Sequence, residues 1–160
     1  MNHRIGSRPA MGDREGPLTE CQAAAMTYRD SLGLATFADA HAVWLSVPAD
    51  RAVISITAAW ADVVFDALHG RGIDGPVIGR PDGHMMFLCQ CDSVICPCWP
   101  PPTEHAVIHL GYRCMIDLPP TPFPPNQFVR RLRWLRAPEP NAAWPSCREV
   151  MDVIVRCVRR

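Results

Sequence analysis

Apolar positions along the chain switch between a helical and an extended rhythm, and the switches predict the elements. Cys21, Ala24, Ala25 and Tyr28 fall at helical spacing, so residues 18–34 are expected to form a helix ended by Gly33. His41 to Val47 alternates loosely around Val43, Trp44 and Val47 and is closed by Pro48, which reads as a strand. Residues 49–56 fit either a preceding turn of the next helix or a short strand, and periodicity alone does not separate the two. From Thr57 to His69 the stripe Trp60, Val63, Val64, Ala67 and Leu68 is wide enough to face a core, with Gly70 and Gly72 as stop signals.

The second half is extended and punctuated by proline. Gly75 to Gly79 and His84 to Cys91 flank the turn sequence Arg80-Pro81-Asp82-Gly83 and predict a β-hairpin. Twelve of the seventeen prolines lie between Pro97 and Pro145, so Pro100-Pro101-Pro102 and the run Pro119 to Pro125 read as loops or polyproline stretches. Between them His105 to Leu118 reads as extended chain bent near Gly111, and Phe128 to Leu135 as a further strand. Ser146 and Glu149 form a capping box ahead of the apolar face Val150, Val153, Ile154, Cys157 and Val158, with Arg156, Arg159 and Arg160 at the cation-favouring end. The sum is an α+β domain over 18–160, with about three helices and a mainly antiparallel sheet of five or six short strands. Residues 1–17, rich in Gly, Pro and Arg, are expected to be a flexible tail, with Met11 as an alternative start.

Composition adds two features. Every basic residue is Arg and none is Lys, the bias a GC-rich genome produces, although guanidinium also suits phosphate recognition. The formal net charge is zero, which excludes a protein working by bulk positive charge, but the charge is unevenly placed. Residues 126–160 hold eight Arg against three acids, and residues 1–125 hold eight against thirteen. No apolar run reaches the length of a membrane span and the N-terminus lacks a secretory pattern, so a cytoplasmic protein with reduced thiols is expected.

Two clusters carry candidate chemistry. Arg130, Arg131, Arg133 and Arg136, interleaved with Phe128, Trp134 and Leu135, could track a phosphate backbone while Trp134 stacks or packs. The competing reading is a solvated edge strand, or pairing with the acidic half of the same chain. Cys89, Cys91, Cys96 and Cys98 give C-x-C-x4-C-x-C, flanked by His84, His105 and His109. Four thiolates suit tetrahedral zinc, but the usual spacing is C-x2-C, and the alternative is two core-facing and two loop thiols. Paired carboxylates, glycine-rich phosphate loops and cysteine-hydrolase signatures do not occur, so no catalytic residue is assigned and no cofactor is expected apart from the zinc alternative.

The stretch from Gly75 to Asp92, GPVIGRPDGHMMFLCQCD, resembles the hairpin around the first acidic motif of bifunctional DNA primase/polymerase domains of the archaeo-eukaryotic primase superfamily. Leu110-Gly-Tyr-Arg-Cys-Met-Ile-Asp-Leu-Pro-Pro-Thr followed by Arg131-Leu-Arg-Trp-Leu is similar to that family's later segment. The family's two metal-binding carboxylates would fall at Cys89 and Cys91, and thiols are poor ligands for hard Mg²⁺. The resemblance therefore implies the fold with the polymerase centre dismantled. The expected function is non-catalytic binding of nucleic acid or of a protein partner, with no membrane association.

Overall fold

A computed structural model describes residues 18–91, 104–110, 114–124 and 130–159; within 107–110 only the backbone is described. The elements are α1 (Glu20–Leu32), β1 (Thr36–Ala38), β2 (Val43–Ser46), β3 (Arg51–Ile56), α2 (Ala58–His69), β4 (Val77–Gly79), β5 (Met85–Gln90), β6 (Ala106–Leu110), β7 (Met115–Leu118), β8 (Arg133–Arg136) and α3 (Cys147–Val158). The α+β class and antiparallel pairing match the sequence expectation. The described residues hold eight strands rather than five or six, because the short β1 has no pattern of its own and the extended run 105–118 divides into two strands.

A central sheet runs β6-β3-β5-β4-β8 and a smaller outer sheet runs β1-β2-β7, with every pair antiparallel. Period-2 alternation sorts the central strands onto two cores. Ala52, Ile54 and Ile56 of β3, with Met85, Phe87 and Cys89 of β5, pack against α2 and α3. Val53, Met86 and Leu88 turn the other way, joining Val43 and Leu45 of β2, Ile116 and Leu118 of β7, and Cys21 and Ala25 of α1. A sheet covered on both faces reads as a continuous apolar run, which is why 52–56 resembles a helix turn as much as a strand. Residues 51–56 are in fact the strand, and it lies inside the sheet, paired with β5 and β6.

Local chemistry fixes the helix ends. Thr19 and Gln22 at α1, and Ser146 and Glu149 at α3, each complete a reciprocal capping box. Gly33 closes α1 at φ 65°, a left-handed conformation that glycine adopts without Cβ strain. On α2 the buried positions are Ala61, Val64 and Leu68. Val63, expected in the stripe, is 51 % exposed, because the face turned to the sheet centres on Ala61 and leaves Trp60 and Ala67 at its margins. Gly75 is required by packing: a Cβ there would lie 2.4 Å from Cδ of Pro145, whose ring cannot swing aside.

The strand expected over 128–135 is observed as Arg133–Arg136, with Phe128 outside the described residues. β8 carries an irregularity: Val77 opposes Arg136 while Ile78 opposes Trp134, so Leu135 is the extra residue of a bulge. Upstream, backbone bonds from Phe123 N–H to Arg130 O (2.7 Å) and from Leu132 N–H to Thr121 O (3.0 Å) continue the segment toward the outer sheet. Thr121 completes the link, since its buried hydroxyl accepts from Val43 N–H (2.9 Å) and donates to Val43 O (3.2 Å). The expected tail, residues 1–17, and Gly111 lie outside the described residues. None of the described helices is long and apolar enough to cross a membrane.

Candidate functional site

The arginine segment is positioned by β4 on one side and by α1 on the other. Arg130, Arg131 and Arg133 are exposed, while Arg136 and Trp134 are half-buried. Arg131 Nη1 pairs with the Glu20 carboxylate in the first turn of α1. Arg136 Nη1 lies 2.9 Å from Asp74 Oδ1, and its guanidinium sits 5.2 Å from the Phe65 ring centroid. Two of the four arginines are thus paired with acids from the first half of the chain, the arrangement that the uneven charge distribution allows.

Trp134 faces inward toward the core shared with the outer sheet. Its indole Nε1–H donates to the Tyr28 hydroxyl (2.8 Å), and that hydroxyl donates to Pro119 O (2.8 Å). The two rings meet edge to face at 6.0 Å between centroids. Of the two roles considered for Trp134, the structure has it packing. Burial pushes the Tyr28 hydroxyl above its ordinary range, and the bond from Trp134 acts in the opposite direction. Arg131 and Arg133 are both exposed with the buried Leu132 between them; Arg131 precedes β8 in an isolated bridge to Pro122, and Arg133 pairs across to Gly79.

The cysteines divide. Cys89 and Cys91 are both buried and both join the core under α2 and α3, so the core-facing alternative describes their placement. Cys89 meets Cys147 at the start of α3, and burial together with that thiol pushes Cys89 far above the ordinary thiol range. A thiol so held stays protonated and is a poor nucleophile. Cys96 and Cys98 lie outside the described residues. Among the described residues no three His, Cys, Asp or Glu side chains converge as a metal site. His84 approaches Asp82 (Nδ1–Oδ1, 3.2 Å) in the hairpin turn, and His105 packs on Trp60 at 5.8 Å. For Asp82, burial raises the carboxyl, but the His84 backbone N–H and the Arg80 guanidinium outweigh it and hold it below the usual carboxylate range.

The structure also assembles groups that were not singled out in the sequence. Asp74 Oδ1 lies between His69 Nδ1 (3.4 Å) and Arg136 Nη1 (2.9 Å). Arg51 stacks at 4.3 Å over Trp144. The available signal was the short loop after α2: a chain that stops at Gly70 and Gly72 and re-enters as β4 must bring Asp74 back near the helix end that carries His69.

No family model, curated protein or solved structure matches this chain.

Proposed function

We propose that the protein is a non-catalytic binding protein that takes single-stranded nucleic acid along the segment leading into β8. The observation that carries this reading is the run of exposed guanidiniums Arg130, Arg131 and Arg133 within a C-terminal stretch of net positive charge. Arg130 and Arg133 have no acidic partner among the described residues, and the single bond from Arg131 to Glu20 is solvent-exposed and exchangeable with a phosphate. Arg136 stands apart, bound to Asp74, and Trp134 supports the edge from beneath. In this reading the chain is a primase/polymerase-type relative in which Cys89 and Cys91 occupy the positions of metal-binding carboxylates.

The test is binding of a short fluorescent single strand across a salt series. Three phosphate contacts on a single strand give a slope of about −2 in log affinity against log salt. The double variant Arg131→Glu with Arg133→Glu is expected to abolish measurable binding at low salt while leaving the unfolding midpoint nearly unchanged, since both side chains are exposed. Undiminished binding by that variant would discard the assignment. Absence of binding by the native chain at low salt would leave the arginine edge to a protein partner.

A further inference from the structure

The loop that follows β8 and the segment between α2 and β4 enclose a cleft of about 470 Å³. That volume lies within the roughly 300–1,000 Å³ of small-molecule sites. Four charged or titratable side chains line it, His69, Asp74, Arg136 and Glu139, and Trp144 forms an aromatic wall. Most of the remaining lining is alanine and proline. We propose that this cleft binds an organic cation, a guanidinium or ammonium group on an apolar stem.

The charges decide the sign of the ligand. Arg136 is committed to Asp74 at 2.9 Å and clamped over Phe65, so this pair contributes no net charge. His69 is held on the same Asp74 oxygen. Glu139 is exposed and has no cationic partner among the described residues, which leaves the cleft with one unpaired carboxylate. An anion entering the cleft would meet the unpaired Glu139 carboxylate. A cation would meet Glu139 and an indole whose electron-rich face attracts positive charge. The molecule already displays that preference, because the Arg51 guanidinium lies 4.3 Å over the Trp144 ring. Arg51 does not line the cleft, whereas Trp144 does. The alanine and proline lining suits a short methylene stem and offers few hydrogen bonds to a sugar or phosphate.

This chemistry has two natural sources, a free polyamine and an arginine side chain of a peptide. The experiment titrates the full chain with spermidine and, separately, with N-acetyl-arginine methylamide, reading amide shifts in ¹H–¹⁵N spectra. Saturable shifts concentrated at Asp74 and Ala137 to Trp144 are expected. The stronger arm identifies the source. Glu139→Gln should weaken the stronger arm about fivefold or more, and its dispersed spectrum reports that the fold is intact. Trp144→Leu should weaken the arginine arm to a similar degree. Glu104→Gln, an exposed carboxylate outside the cleft, should leave both arms unchanged. Shifts that do not saturate, or equal weakening by Glu104→Gln and Glu139→Gln, would reduce the effect to diffuse screening and overturn the site. The double variant at Arg131 and Arg133 should titrate like the native chain, which separates this site from the nucleic-acid edge.

Discussion

Truncating Ile54 to Ala is expected to lower the unfolding free energy by about 2–5 kcal/mol, read as a fall in the urea midpoint at unchanged m. Ile54 is fully buried in β3, opposite Phe87 of β5 on one side and Ile108 of β6 on the other. Its side chain faces the core built by Ala61, Val64 and Leu68 of α2 and by Val150, Val153 and Ile154 of α3. The lost methylene and methyl groups leave a void that two helices resting on an antiparallel sheet cannot close, because a shift that fills it opens contacts elsewhere. Val63→Ala on α2 is the matched control. That residue is 51 % exposed, and its truncation should move the midpoint by no more than about 0.5 kcal/mol equivalent. Equal effects at the two positions would contradict the observed rotation of α2.

Removing the Tyr28 hydroxyl with Phe is expected to cost about 1–3 kcal/mol, although it deletes a single atom. That oxygen receives the Trp134 indole N–H and donates to Pro119 O, so its loss strands a donor and an acceptor in a part-buried site. Tyr28 comes from α1 and Trp134 from β8, 106 residues later, and the link fastens the first helix to the last strand. The asymmetry of buried hydrogen bonds gives the diagnostic outcome. The double variant Tyr28→Phe with Trp134→Phe removes the stranded indole donor and should be less destabilised than the sum of the singles in a denaturation cycle. Strict additivity would mean that the two groups do not depend on one another.

These sites mark what the sequence made legible. Capping boxes and glycine stops act within a few residues, so the end of α1 followed from Gly33 and the start of α3 from Ser146 and Glu149. The hairpin of β4 and β5 followed for the same reason, its turn chemistry lying in Arg80 to Gly83. Residues 51–56 were ambiguous because burial on both faces erases the alternation that distinguishes a strand. β1 was unreadable because three residues carry no period, and its position depends on pairing with β2. For the site, the sequence located the arginines but not their partners. The roles of Arg131 and Arg136 depend on Glu20 and Asp74, which tertiary folding brings to them. The cysteine motif concealed a similar contact, since Cys89 meets Cys147 of α3, far along the chain.

The two sheets draw on interleaved stretches of chain, and this sets an order in time. The pair β1 and β2 leaves the ribosome early with one edge open, and β7 closes that edge only after the whole β3 to β6 portion has emerged. The Val43 backbone waits longer still for the Thr121 hydroxyl, 78 residues downstream. Until then Val43 and Leu45 have neither their strand neighbour nor the layer that covers them, so vectorial synthesis yields no finished half to set aside. Loop closure over such separations is slow compared with helix formation. The nascent chain therefore exposes a hydrophobic strand edge from the completion of β2 until β7 emerges, a window in which an unpaired edge is open to aggregation.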